Sequence, residues 1–506
     1  MTENQELYLD RKYYIILAVF FILYCLFLSW SFLFQNVDDA YISFRYGKNM
    51  MNGVGLVYNK GEYLEGYTNF LWTIITAPFT KIKYIDISRF AIILGLLISL
   101  FNFILITKLS KEIVTYLPEL TKHFLILPVL FFVLDDSIAF WAIGGMEFPL
   151  YVFLILGITY FYFNINKKQG NYIYLFIFLA LCTLNRPEGN LIFTITVFHS
   201  FIYRKSIKDY YKKLTTIVAL YVIFALAYYG FKYFYYGQVI PNTFYAKGVT
   251  DAFMNLWLGF KYLVLGLGTR GYIFFFILFL PFKRIFKDYR LSYLIVFSAI
   301  YLMYLWFVGG DWMIANRFFV PVLPILYFLS SIGFVIALKK FISASQSRQL
   351  YGNFIMIGSI VTVSVLIFFI TMSLLEYNEL IIKDANYKYE MQWSMFGKWL
   401  KMNTSPNTII AVGPAGKIPY YSELYTIDMW GLNNEHIAKT NSKRLAAGHK
   451  KFDFEYVLSL KPEYIIGYAG FKDADLPPEY EKFNAPEDEY KSVDVVFRLK
   501  PEFKIK

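Results

Sequence analysis

The sequence predicts a mainly α-helical protein threaded many times through a membrane, with a small α/β domain at its C-terminal end. Three observations carry that prediction. Of the 506 residues, 57% are hydrophobic and 21% aromatic, and the mean hydropathy is +0.44. Charged residues make up only 17% of the chain, against about a quarter in soluble domains. Apolar runs of roughly 20 residues, enough to cross ~30 Å of hydrocarbon, recur through the first part of the chain and then stop. A soluble globular protein is excluded.

The predicted spans are Tyr13–Phe34, Phe70–Phe79 (short), Phe90–Thr107, Phe148–Phe163, Tyr172–Leu184, Leu191–Tyr203, Thr215–Phe234, Tyr272–Phe286, Leu291–Val308, Phe318–Leu338 and Phe354–Leu375. With the segment Phe124–Trp141 added, the total is about 11–13 crossings. The first span is too long for a signal-peptide core and no small-residue cleavage site follows it, so it reads as a retained helix. In Phe124–Trp141 the pair Asp135-Asp136 interrupts an apolar stretch, as one broken helix or a re-entrant pair.

The net charge is +12 and the pI about 9.1, values that in a soluble protein would suggest nucleic acid. Here Lys and Arg fall in short loops beside spans: Arg11-Lys12, Lys81/Lys83/Arg89, Lys167-Lys168, Arg204 to Lys213, Lys283 to Arg290 and Lys339-Lys340. That bias marks cytoplasmic loops. It places the N-terminus in the cytoplasm and the loop after the first span outside, in a multi-pass protein of the cytoplasmic membrane. Keeping the later basic loops inside requires an even number of crossings in 124–141, which favours the re-entrant pair. Cys25 and Cys182 both lie in apolar spans and imply neither a disulfide framework nor a metal site.

The module 1–375 therefore holds the spans, with a long outer loop at 35–69. From about Glu376 charges and prolines rise, and 376–506 reads as a separate outer domain. Strands are expected at Thr408–Val412, Tyr425–Met429, Glu463–Tyr468 and Val493–Leu499, and amphipathic helices at Tyr389–Met402 and Phe452–Leu460.

Five polar junctions fall on the outer face: Asp38–Asn69, Gly144 to Glu147, Asn185 to Gly189, Tyr235–Thr250, and Gly309 to Arg317. Each carries a charge close to a span, and charges there sit at the boundary or in a wet cavity. Their repetition on one side argues for a shared cavity. In the first junction, Ala40–Met51 fits a helix lying in the interface plane. Asp39 can cap that helix, leaving Asp38 the freer carboxylate. Touching carboxylates tend to split their pKa values, which suits one as a base and the other as an orienting group. Arg45, Arg186, Lys247 and Arg317 are candidate anion ligands, arginine by bidentate contact. A base beside a phosphate clamp at a membrane surface is what glycosyl transfer from a polyprenyl-phosphate sugar needs.

Other chemistries find little support. His123, His199, His436 and His449 show no zinc-ligand spacing, and there is no P-loop or dinucleotide glycine motif. Carboxylates of this kind can hold a divalent cation, but no ligand cluster is readable from spacing, so no cofactor is assigned. A transporter or lipid-linked-glycan flippase would want carboxylates near the bilayer midplane, where Asp135-Asp136 is the candidate. A non-catalytic glycan-binding scaffold is the third reading.

The stretch Asp38-Asp39-Ala40-Tyr41-Ile42-Ser43-Phe44-Arg45-Tyr46, with Gly53 to Asn59 and Glu65-Gly66-Tyr67-Thr68-Asn69, resembles the first outer loop of GT-C superfamily glycosyltransferases. Within that superfamily it resembles the terminal arabinofuranosyltransferases of cell-wall arabinan assembly. Arg186 to Gly189, Pro241 to Lys247, Gly309 to Met313, Gly416 to Tyr421 and Asp428 to Asn433 also look like that group. The resemblance implies an inverting, polyprenyl-phosphate-sugar-dependent transferase on the outer face, acting on a glycan, lipid or protein acceptor. It implies Asp38 as general base with Asp39 as partner. Substrate-binding candidates are Glu65, Tyr67, Asn69, Glu147, Glu188, Asn242, Tyr245, Asp311 and Trp312.

Overall fold

The computed structural model describes residues 36–344 (other than 83, 85, 118, 119, 121, 249–251 and 314), 386–441, 451–467, 476–483 and 496–503, with residues 15, 18, 19, 21 and 22. The expected span Phe354–Leu375 lies outside the described residues, as does nearly all of Tyr13–Phe34. The domain boundary at 375/376 lies outside them too.

Helix α1 (Asp38–Met51) begins two residues earlier than expected, and its N-cap is Val37, with no side-chain cap. Nearly every residue from Asp38 to Gly47 is buried, because the C-terminal domain covers the face expected to meet water. Helix α2 (Phe70–Thr76) runs into a 3-10 turn at Ala77–Lys81. At 1.5 Å per α-helical and 2.0 Å per 3-10 residue the two together rise only about 20 Å, too little to cross ~30 Å of hydrocarbon. The segment instead lies along α1, with Gly47 against Ala77, and it emerges on the side it started from. The Tyr421 hydroxyl of the C-terminal domain donates to Asp86 Oδ2 at 2.9 Å. The expected span Phe70–Phe79 is therefore corrected to a short, half-buried element that packs along α1 and returns to the same end of the bundle.

Asp86 caps α3 (Ile87–Tyr116), accepting from Ser88 N. This helix runs the length of the bundle to the far end, where Glu112 pairs with Lys167 at 2.5 Å. The return is α4 (Leu127–Leu134) and α5 (Asp136–Ile143), which end beside Asn36, whose amide donates to Ile143 O at 2.9 Å. The ambiguous region is thus one broken pass, not a re-entrant pair. At the break Asp135 caps α5 through Ile138 N and pairs with Arg270 at 2.7 Å, with the Tyr327 hydroxyl also donating to it. This satisfies the carboxylate on which a transport reading drew.

Helices α6 (Phe148–Phe163), α7 (Asn171–Asn185), α8 (Gly189–Ile202) and α9 (Tyr210–Tyr236) then alternate between the two ends. After the short α10 (Asn242–Lys247) come α11 (Ala252–Gly268), α12 (Tyr289–Val308) and α13 (Leu323–Ala344). The expected span Tyr272–Phe286 is not one helix: it is divided into Gly271–Phe274, a 3-10 segment Phe275–Phe279 and Phe282–Ile285, broken at Pro281, and the apolar helix α11 before it was not expected. The far end is knit by Asn166 to Ser206 O at 2.9 Å, Tyr203 to Phe286 O at 2.8 Å and Tyr289 to Phe163 O at 3.1 Å. The basic loops at 167–168, 204–213 and 283–290 gather there. Lys81 and Arg89 do not, since the loop between them faces the C-terminal domain. By length and apolarity α3, α9, α12 and Leu323–Lys340 of α13 can each cross a bilayer alone. The protein is a multi-pass membrane protein.

The C-terminal domain contains α14 (Asn386–Asn403), α15 (Lys417–Ser422), α16 (Glu435–Lys439) and α17 (Phe454–Ser459). Its strands are β1 (Ile409–Val412), β2 (Tyr425–Asp428), β3 (Tyr464–Ile466), β4 (Tyr480–Phe483) and β5 (Val496–Leu499), in the order β2-β1-β3-β5-β4. The first three are parallel, and β5 is antiparallel to both β3 and β4. β1 reads IIAV and is buried on three of its four residues, the continuous apolar run of a strand covered on both faces.

Candidate active site

The structure separates the two adjacent aspartates. Successive residues of a helix point 100° apart, so Asp38 and Asp39 leave α1 in different directions. Asp38 turns to the C-terminal domain, accepting from Gly416 N at 2.9 Å and Lys417 N at 2.7 Å, the amides of the N-cap and first residue of α15. It is buried. Asp39 turns into a cavity that it shares with Arg186, Lys247 and Arg317. The carboxylate offered to that cavity is Asp39, the reverse of the expectation from capping.

Each cationic group is set by its own element. Arg317 follows a left-handed pair, Ala315 and Asn316, fixed by the Trp141 indole donating to Ala315 O at 3.0 Å. Its guanidinium grips Asp311 bidentately, 3.0 Å for Nη2, and reaches Asp39 Oδ2 with Nη1 at 3.1 Å. Arg186, at the junction of α7 and α8, donates to Glu147 at 2.5 Å and to Glu188 at 2.9 Å. Glu147 in turn accepts from Asn69 Nδ2 at 2.7 Å, and Glu188 from the Tyr304 hydroxyl at 2.8 Å. Lys247, at the end of α10, differs: among the described residues it makes no ion pair or hydrogen bond. Burial, then the Arg317 charge, lowers its pKa.

Of the expected site residues, Asp39, Tyr67, Asn69, Arg186, Lys247 and Arg317 line the cavity. Glu147, Glu188 and Asp311 stand behind its arginines. Arg45 does not reach it: six residues beyond Asp39, it points 120° round the helix and is spent on packing. It donates to Tyr58 O at 2.8 Å, Pro419 O at 2.6 Å and Leu424 O at 2.7 Å, clasping loop and C-terminal domain together. A phosphate-binding role for Arg45 is withdrawn on that geometry. Glu65 is buried against Lys232 at 2.7 Å, and burial, opposed by that lysine, pushes its carboxyl up to about 7. Asn242 donates to Gly431 O at 2.8 Å and Leu432 O at 3.0 Å. Tyr245 lies under the Lys439 ammonium, and Trp312 is half-exposed. None of these last four lines the cavity.

Sequence reasoning missed Ser43, Met146, Thr243 and Leu432, all of which line it. Ser43 was findable, because Asp39, Ile42 and Ser43 at i, i+3 and i+4 share one helix face. Leu432 carried no signal, being an apolar residue in a distant domain. Among the described residues no group of three or more His, Cys, Asp or Glu side chains is placed to hold a metal ion.

Residues 381–499 match a family described as a domain of unknown function, DUF8728. No curated protein sequence matches the chain. The crystal structure of ArnT from Cupriavidus metallidurans in the apo state is similar with a TM-score of 0.52 at 11% identity, over 81% of this chain and 84% of that one. The same protein bound to undecaprenyl phosphate gives 0.48 at 10% identity, over 83% and 86%. The oligosaccharyltransferase of Archaeoglobus fulgidus in the apo form gives 0.48 at 11%, over 82% of this chain and 64% of that one. The likeness to apo ArnT is one of fold, and extends over most of both chains.

Proposed function

We propose that the protein is an inverting glycosyltransferase, moving a sugar from a polyprenyl-phosphate donor to an acceptor hydroxyl on the outer face of the cytoplasmic membrane. The acceptor is a surface glycan, lipid or protein. The observation that carries this reading is the convergence of Asp39 with three cationic side chains in one cavity, at the end of the bundle that the C-terminal domain covers. The loop motifs resembling terminal arabinofuranosyltransferases support the reaction class.

In this mechanism Asp39 takes the proton of the acceptor hydroxyl. The acceptor oxygen forms a bond to the anomeric carbon as the bond from that carbon to the phosphate oxygen breaks on the opposite face, and polyprenyl phosphate leaves. Arg317 holds Asp39 as the anion, the form a base requires. Lys247, the one cavity cation with no carboxylate of its own among the described residues, meets the donor phosphate, and Arg186 adds charge against the negative charge that develops there. Asp38 does not take part in the chemistry; it seats the C-terminal domain.

The test is transfer from radiolabelled polyprenyl-phosphate sugars by the purified protein. Asp39→Asn should lower the rate by about 10²–10⁴-fold, the range of a lost general base, while the protein still inserts and elutes as wild type. Undiminished transfer by that variant would remove Asp39 from the reaction.

A further inference from the structure

The turn Asp428 to Asn433 of the C-terminal domain touches three walls of the cavity at once. Asp428 is fully buried at the end of β2. Its carboxylate accepts from Trp430 N at 3.0 Å, Asn433 N at 2.8 Å and Asn433 Nδ2 at 2.9 Å, which folds the turn around it. The turn delivers Leu432 into the cavity wall. Its carbonyls at Gly431 and Leu432 accept from the Asn242 amide, and Asn242 is the first residue of α10, whose last residue is Lys247. On the other side, Asn433 Oδ1 accepts from Tyr46 Oη at 3.1 Å, and Tyr46 Oη accepts from Gly66 N at 2.8 Å. Gly66 lines the cavity, and a Cβ there would collide with the Asn433 side chain.

Helix α10 has six residues and cannot hold itself in place, since isolated helices of that length do not persist in water. Its anchors are the turn, through the Asn242 side chain, the packing of α16, and Glu65 O, which accepts from Asn242 N at 2.9 Å. Two of these three come from the C-terminal domain. We propose that Asp428 is a positioning residue, which through its turn and Asn242 fixes α10 so that Lys247 stands at the donor phosphate. The C-terminal domain is then part of the donor site. This inference rests on the transferase reading and deepens it.

The experiment is binding of undecaprenyl phosphate, with no sugar and no acceptor, to the purified full-length protein, each variant being taken only as a monodisperse folded species. Loss of a charge-assisted contact corresponds to about a tenfold change, so Lys247→Met, Asp428→Asn and Asn242→Ala should each raise Kd about tenfold. Groups acting through one another are not additive, so Asp428→Asn in the Lys247→Met background should add less than about twofold. Glu423→Gln removes the partner of Lys48 and Lys401 at the same domain's edge, away from the turn, and should leave Kd unchanged. The proposal is overturned if Asp428→Asn binds as wild type, if its full penalty persists without Lys247, or if Glu423→Gln costs as much. Those results leave the transferase reading standing. A wild-type protein that does not bind undecaprenyl phosphate would remove both.

Discussion

At the scale of single residues, the division of labour between Asp38 and Asp39 decides the chemistry. Both carboxylate oxygens of Asp38 accept main-chain amides of the C-terminal domain, and a base so engaged would have to release the domain to take a proton. Asp38→Asn keeps one acceptor and loses the other, leaving an amide of α15 without its partner. We expect a lowered thermal unfolding temperature, with turnover per folded molecule held within about tenfold of wild type, well short of a lost base. Transfer abolished in a fully folded Asp38→Asn protein would return the base to that residue. Asp428 supplies a second prediction. Burial pushes its carboxyl up to about 6, against the hydrogen bonds from Asn433 that favour the anion. A carboxyl whose folded pKa lies above its unfolded value of 3.8 adds stability below that value and loses it as pH rises through 6. The contribution lost is on the order of 3 kcal/mol. Unfolding temperature followed from pH 4 to 7 should therefore fall through this window for wild type, and Asp428→Asn should flatten that slope. An unchanged slope would mean that Asp428 does not titrate there.

At the scale of elements, α1 is a beam loaded on two faces. One face, Asp39, Ile42 and Ser43, meets the cavity, and the other carries Asp38 and Arg45 to the C-terminal domain. Helical spacing is enough to group the first face, but the capping argument put Asp38 rather than Asp39 on it. The second was not legible, because Arg45 differs from a phosphate ligand only in what lies opposite it, main-chain carbonyls of Pro419 and Leu424, far along the chain. The same reasoning explains Gly416. It stands so close to α1 that a Cβ would collide with the carbonyl of Asp38. Gly416→Ala should force α15 away from the Asp38 carboxylate, at about 1–3 kcal/mol, the usual cost of overpacking. Thermal unfolding of the purified protein reads this, and a stability equal to wild type would show that the clasp is slack.

At the scale of the whole molecule, hydropathy located the helices more surely than it located their depth. The stretch Phe70–Phe79 is apolar enough to suggest a span, but its helix is only seven residues long, and composition alone does not tell an interfacial segment from a short crossing. The stretch 124–141 carries two adjacent charges that suggest an interruption, yet Arg270 supplies the partner that lets it pass through the bundle. Removing one crossing before α3 and adding one after it leaves every later helix on the side first assigned, so the two misreadings cancel beyond Glu147. They do not cancel between them, and there the molecule can be tested. Tyr84 is 91% exposed in the loop between α2 and α3, beside the C-terminal domain. Met402, in that domain, is 75% exposed. Lys168 is exposed at the far end of the bundle. In a chain with Cys25 and Cys182 replaced, single cysteines at these three positions can be labelled in intact cells with a membrane-impermeant maleimide. Tyr84→Cys and Met402→Cys should react from the same side and Lys168→Cys only after the membrane is opened. Counting Phe70–Phe79 as a span pairs Tyr84 with Lys168 instead. Labelling in that pattern would carry α2 across the bilayer and pull apart the contact between Asp86 and Tyr421 on which the present arrangement of α1, α2 and the C-terminal domain depends.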